Sequence, residues 1–112
     1  MLQPGDIVTV PFQGVTGTKQ RPAVVLSSAT YHTHRPDMIL GLLTTQIPAS
    51  PTPTDYILRD WAAAGLHRAS AFRVFLITVP RTDILAQIGH LSDRDWQEVA
   101  TRVLIALGTV SP

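Results

Sequence analysis

Apolar and polar positions alternate with a period of two through most of the chain and take up a helical period only at its end. In Ile7-Val8-Thr9-Val10-Pro11-Phe12, the residues Val8, Val10 and Phe12 fall on one face behind Gly5-Asp6, which predicts a strand. Pro11 has no N–H to give to a ladder, so an edge position or a bulge is expected there. Gln13 to Gln20 holds two glycines and a single large apolar residue, Val15, and reads as a loop. Ala23-Val24-Val25-Leu26-Ser27 is an unbroken apolar run that predicts a strand covered on both faces. Tyr31 to Asp37 is polar, contains Pro36 and reads as a second loop, and Met38 to Thr44 makes a third strand.

Three prolines within Ile47 to Pro53 exclude helix and central strand. Tyr56-Ile57-Leu58 and Ala71 to Phe75 read as two further short strands, joined by a short apolar connector, Trp61 to Leu66, that ends around Gly65. Ile84 to Ile88 is a last strand closed by Gly89. The one helix comes at the end. Ser92 is its N-cap, Asp93 and Asp95 sit in the first turn where the helix dipole favours anions, and Gly108 is the stop. Trp96, Val99, Ala100, Val103, Leu104 and Leu107 recur at the spacing of one buried stripe. Five or six short strands and one terminal amphipathic helix predict a mainly β fold, a small closed barrel with the helix packed on it.

Composition narrows the function. A chain of 112 residues with 45% hydrophobic and 15% charged residues suits one globular domain over residues 1–112. It contains no cysteine, so thiolate and disulfide chemistry are absent. The N-terminal residues lack the basic and apolar regions of an export signal, and no apolar run approaches a membrane span, so a cytoplasmic protein is expected. The formal net charge is only +1, yet it divides unevenly. Up to Thr82 there are seven Lys and Arg against four Asp, a balance of +3, and the remainder carries −2. A locally basic surface suits a polyanion.

Walker, Rossmann, His-Glu-x-x-His and Gly-x-Ser-x-Gly patterns are all missing. His32 and His34 have only Asp37 near them in sequence, short of the three protein ligands a zinc site needs, so no metal and no cofactor is assigned. His67 and His90 stand alone. Two segments carry more. A basic, glycine-containing stretch, Gly17 to Arg21, runs into the Ala23–Ser27 strand, and Pro22 biases Arg21 toward extended backbone at the junction. Thr44-Thr45-Gln46 then sets three hydrogen-bonding side chains where the third strand ends.

In order and spacing these pieces resemble the MazF/PemK family of toxin–antitoxin toxins. The resemblance is carried by Gly5-Asp6-Ile7-Val8, Pro11-Phe12, Gly17, Lys19, Arg21-Pro22-Ala23-Val24-Val25-Leu26-Ser27 and Thr44-Thr45-Gln46. It continues through Trp61 to Leu66, Ser70 and Ile88-Gly89-His90-Leu91-Ser92. The resemblance implies an SH3-like barrel of MazF/PemK/CcdB type and a homodimer. It implies a metal-independent endoribonuclease that cuts single-stranded RNA, such as mRNA, at short motifs. It also implies a cognate antitoxin whose flexible tail silences the enzyme.

Carried onto this chain, the family's active-site arginine is Arg21 and its partner threonine is Thr44. Attack of a ribose 2′-hydroxyl on the adjacent phosphate builds negative charge on the non-bridging oxygens, which a fixed guanidinium and a hydroxyl can both stabilise. The resemblance implies an acid–base role for Arg21, but arginine keeps its proton at ordinary pH, so charge stabilisation is the role expected first. Lys19, Gln46, Ser27, His32 and Tyr31 are the expected RNA contacts, Tyr31 as a stacking surface and His32 also as a candidate base. Two rivals remain at this point. One is a CcdB-type toxin of the same fold that poisons gyrase by protein binding; the other is an SH3-like peptide adaptor, whose groove would want more aromatics than 6%.

Overall fold

Antiparallel pairing organises the chain into one six-stranded sheet, curled into a half-barrel and closed off by a C-terminal helix. The structure, a computed structural model, describes residues 1–14 and 17–112. The strands are β1 (Asp6–Gly14), β2 (Gly17–Val25), β3 (Asp37–Thr44), β4 (Tyr56–Ile57), β5 (Ala71–Pro80) and β6 (Ala86–His90), ordered β4-β5-β3-β2-β1-β6. Helix α1 (Ala29–His34) links β2 to β3, and α2 (Asp93–Ala106) follows β6.

The period of two divides the apolar residues between the sheet's faces. Val24 turns to one face with Ile7, Leu43 and Phe72, where Leu58, Leu66, Leu91 and Val99 complete a core beneath α2. Ala23 and Val25 turn to the other with Val8, Val10, Met38, Leu40 and Leu42. The strand predicted to be covered on both faces is so covered: Ala23, Val24 and Val25 are fully buried. Pro11 is accommodated because β6 pairs only with Asp6 to Thr9, which leaves the outer edge of β1 free beyond that point.

Four expectations need correction. The stretch expected as a loop is largely strand, since β1 and β2 stay in register from Ile7↔Val24 to Gly14↔Gly17. Its polar residues Thr18, Lys19 and Gln20 are held by backbone pairing and stay exposed. Val15, named within that loop, lies outside the described residues. The Tyr31–Asp37 loop is mostly helix α1, capped by Ser28, whose hydroxyl accepts from the Tyr31 N–H at 3.3 Å. The barrel does not close, because β4 and β6 end the strand order. Finally, α2 is capped as predicted by Ser92 and stopped at Gly108 in a left-handed turn, but its stripe is buried only in its first half. Val99 is buried and Trp96 and Val103 pack on the core, whereas Leu104 and Leu107 are exposed.

A buried carboxylate ties α2 to the sheet. Asp95 is fully inaccessible and accepts from the Tyr56 hydroxyl at 2.5 Å and from the N–H groups of Arg59 at 3.1 Å and Asp60 at 2.8 Å. Burial, and then the bond to Asp95, push the Tyr56 phenol well above its ordinary pKa. Beside it the connector crosses β6 so closely that a Cβ on Gly65 would lie 2.1 Å from the Ile88 carbonyl oxygen, which only glycine avoids.

Candidate active site

Strand alternation sets the site at the rim of the second core. Arg21 lies two residues before Ala23 on β2 and so turns to the same face, opposite Val10 of β1. Phe12 follows Val10 on that face and stands opposite Lys19. The last β2–β3 pair is Ala23↔Leu42, and Arg21 and Thr44 each lie two residues beyond it. Arg21, Thr44 and Gln46 line one cavity of about 190 Å³, with Leu42, Leu43, Arg73 and Phe75.

The Arg21 guanidinium is fixed twice. Its Nη2 donates to the Leu43 carbonyl oxygen at 3.2 Å, and its Cζ lies over the Phe12 ring, 5.4 Å from the centroid. Most of its N–H groups stay available to a ligand. The Thr44 hydroxyl oxygen accepts from the Gln46 N–H at 3.1 Å, which leaves its own proton to donate. Lys19, two residues from Arg21 on β2, is exposed at the same rim.

Two residues that the sequence reading left unassigned complete the wall. Opposite β3, the pairing jumps from Leu43↔Phe72 to Leu42↔Phe75, so β5 bulges at Arg73-Val74, and Val74 takes a φ of 58°. A left-handed φ is costly for a β-branched residue and marks a built bend. Arg73 reaches back to Asp55, its Nε donating to Oδ1 at 3.1 Å. Asp55 is held below the usual carboxylate range, first by the Thr52 backbone N–H and also by Arg73. Phe75 is 54% exposed and meets Phe12 edge-on, centroids 6.0 Å apart at 87°. The signal that could have found Phe12 was its place on the Val8–Val10 face, which points it at the strand carrying Arg21.

Three expected contacts lie elsewhere. Ser27 follows β2 six residues after Arg21, about 20 Å along the strand direction. It is buried, its Oγ accepts from the Ile39 N–H at 3.0 Å, and it is bonded to His32 Nε2 at 2.6 Å. His32 is therefore a buried residue of α1, not a solvated loop histidine, and it does not reach Arg21 as a base. Tyr31 stands beside His32, ring centroids 6.4 Å apart, at that same distant end. His90, which stood alone in the sequence, bonds Asp6 at 2.6 Å.

Burial and then the charge of Arg81 lower the His32 pKa. A histidine with a depressed folded pKa takes up a proton on unfolding. Its contribution to stability is complete above its unfolded pKa of about 6.5 and is lost as pH falls through the folded value. The urea midpoint should therefore fall between about pH 7.5 and pH 5, and His32→Gln should flatten that fall. Equal pH dependence in parent and variant would remove His32 as its source.

Among the described residues no three His, Cys, Asp or Glu side chains cluster as metal ligands, and no helix is long and apolar enough to cross a membrane. No curated protein matches the sequence as a relative. The fold is shared with solved structures at low identity. A mycobacterial endoribonuclease in complex with its cognate antitoxin superposes with a TM-score of 0.81 at 16% identity, each chain covered in full (100%). The Mycobacterium tuberculosis toxin MazF-mt6 gives 0.75 at 21%, over 95% of this chain and 97% of that one. A MazE–MazF structure from Deinococcus radiodurans gives 0.76 at 22%, over 96% of each. The profile of the PemK-like, MazF-like toxins matches residues 3–107, almost the whole length over which Arg21 and Thr44 are brought together. The chain belongs to this family of toxins of type II toxin–antitoxin systems.

Proposed function

We propose that this toxin is a metal-independent endoribonuclease that cleaves single-stranded RNA, mRNA included, in the cavity lined by β2, β3 and β5. The carrying observation is the fixed Arg21 guanidinium facing the same cavity as the Thr44 hydroxyl, in a chain of this toxin family. Support comes from solved relatives described as endoribonucleases.

In this reading the ribose 2′-oxygen loses its proton and bonds to the adjacent phosphorus. The bond from phosphorus to the 5′-oxygen breaks, and that oxygen takes up a proton. Arg21 pairs with the non-bridging oxygens as charge builds, and Thr44 donates one neutral hydrogen bond. Lys19 and Gln46 bind the flanking chain, and Ser27, Tyr31 and His32 are assigned no RNA contact at this cavity. A CcdB-type mode of action would give the Arg21–Thr44 pair no substrate.

The toxin works in the cytoplasm as a homodimer of single-domain chains, silenced by a cognate antitoxin with a flexible acidic tail. Two solved relatives stand in complex with an antitoxin or MazE, which supports the partner. The tail and RNA share the cationic rim formed by Lys19, Arg21 and Arg73. Antitoxin titrated into a cleavage assay should inhibit less as RNA is raised, and salt should weaken RNA more steeply than the tail, because each neutralised phosphate releases counterions. Inhibition independent of RNA concentration would refute the shared rim, and failure to cleave any RNA would refute the enzyme.

A further inference from the structure

The β5 bulge turns Arg73 and Phe75 into the wall of the cavity that Arg21 and Thr44 share. Val74 packs toward the helix-side core at its strained φ, and its two neighbours turn outward to the site. Phe75 is a large ring left half exposed, supported edge-on by Phe12. That support fixes its orientation while leaving a face open, an arrangement suited to a planar ligand. Arg73 is bound to Asp55 through Nε alone among its nitrogens, so its Nη groups remain free. The other Asp55 oxygen is occupied by the Thr52 N–H at 2.9 Å and by its hydroxyl at 3.1 Å. The ion pair is thus a strut that holds the guanidinium at the cavity wall.

We infer that the β5 bulge builds a nucleotide subsite beside Arg21, in which Phe75 stacks a base of single-stranded RNA and Arg73 pairs with a phosphate flanking the scissile one. This rests on the reading of the cavity as an RNA-cleaving site and adds the groups that select the neighbouring nucleotide. An aromatic face next to a cation is the recurring means of holding unpaired nucleic acid. A peptide tail would be the alternative occupant, but an open ring flanked by Arg21 and Arg73 matches the alternation of base and phosphate more closely than it matches a run of carboxylates.

The test uses the full-length protein and an oligoribonucleotide carrying the cleavage site mapped for the parent, with the attacking 2′-hydroxyl replaced by hydrogen and 2-aminopurine on either side in turn. Parent protein should quench one of the two probes. Phe75→Ala should lose that quenching and weaken binding about tenfold or more, and on the cleavable all-ribose oligonucleotide it should raise KM with little change in kcat, while Phe75→Trp should keep both quenching and affinity. Arg73→Gln should lower the salt dependence of binding by about one counterion. A role limited to packing would move none of the quenching, KM or salt readouts in this pattern. If the parent cleaves RNA but Phe75→Ala binds and quenches as the parent does, the subsite is refuted. If Phe75→Ala weakens an acidic peptide and not the oligonucleotide, the ring serves the peptide and the inference is again overturned. A parent that cleaves no RNA overturns the proposed function itself.

Discussion

Replacing Arg21 with alanine should lower RNA cleavage about 100- to 1000-fold, the usual consequence of removing a donor to a developing oxyanion. The side chain lies at the rim of the second core, bonded only to the Leu43 carbonyl oxygen and stacked on Phe12, so its loss opens no void in the packed interior. The melting temperature should stay within about 3 °C of the parent, as expected for a substitution outside the core. Arg21→Lys should fall between, because a point charge replaces a planar fork that can pair with two phosphate oxygens. Thr44→Ala should cost less than Arg21→Ala, since it removes one neutral hydrogen bond. Single-turnover cleavage of a labelled RNA checks the series. An Arg21→Ala protein that cuts at the parent rate would show that the reacting phosphate sits elsewhere.

Asp95→Ala should do the opposite: destabilise the fold severely while leaving the cavity chemistry untouched in the fraction that remains folded. The substitution strands the Tyr56 hydroxyl and the N–H groups of Arg59 and Asp60, three donors around a fully buried carboxylate. Each buried unsatisfied group costs about 1–3 kcal/mol, so the loss should reach about 3 kcal/mol or more. That is a large part of the roughly 5–15 kcal/mol that holds a domain of this kind together. The melting temperature should drop by about 10–20 °C. Asp95→Asn, which keeps one acceptor oxygen, should lose less. A thermal melt of Asp95→Ala that coincides with the parent would mean that the network adds nothing to stability.

Residues whose burial follows a period gave their elements away in the sequence. Val8, Val10 and the Ala23–Val25 run are read correctly because their side chains alternate into, or fill, the two cores. The polar start of β2 is invisible to that method, since Thr18, Lys19 and Gln20 are ordered by backbone pairing to β1 and bury nothing. Helix α1 is hidden for a similar reason. Six residues without an apolar stripe carry no period, and the Ser28 cap was the available signal. His32 was misjudged because its burial depends on Ser27, five residues earlier, folding back onto it. The second half of α2 was misjudged in the other direction, because a regular stripe does not itself report whether anything packs on it, and Leu104 and Leu107 are exposed.

For the site, Arg21 and Thr44 came from resemblance, and in the fold they line one cavity just beyond the Ala23↔Leu42 pair. Arg73 and Phe75 were out of reach. Their direction depends on a bulge at Val74, a residue whose type argues against a left-handed φ.

Cleavage by this toxin should proceed by attack of the RNA's own 2′-hydroxyl on the adjacent phosphate, without a divalent ion. End-group analysis of the products formed with EDTA present tests it most directly. Cleavage should be unimpaired and leave a 2′,3′-cyclic phosphate, or the 3′-phosphate derived from it, on one fragment and a 5′-hydroxyl on the other. Fragments with 5′-phosphate and 3′-hydroxyl ends, or cleavage that disappears on chelation, would contradict it.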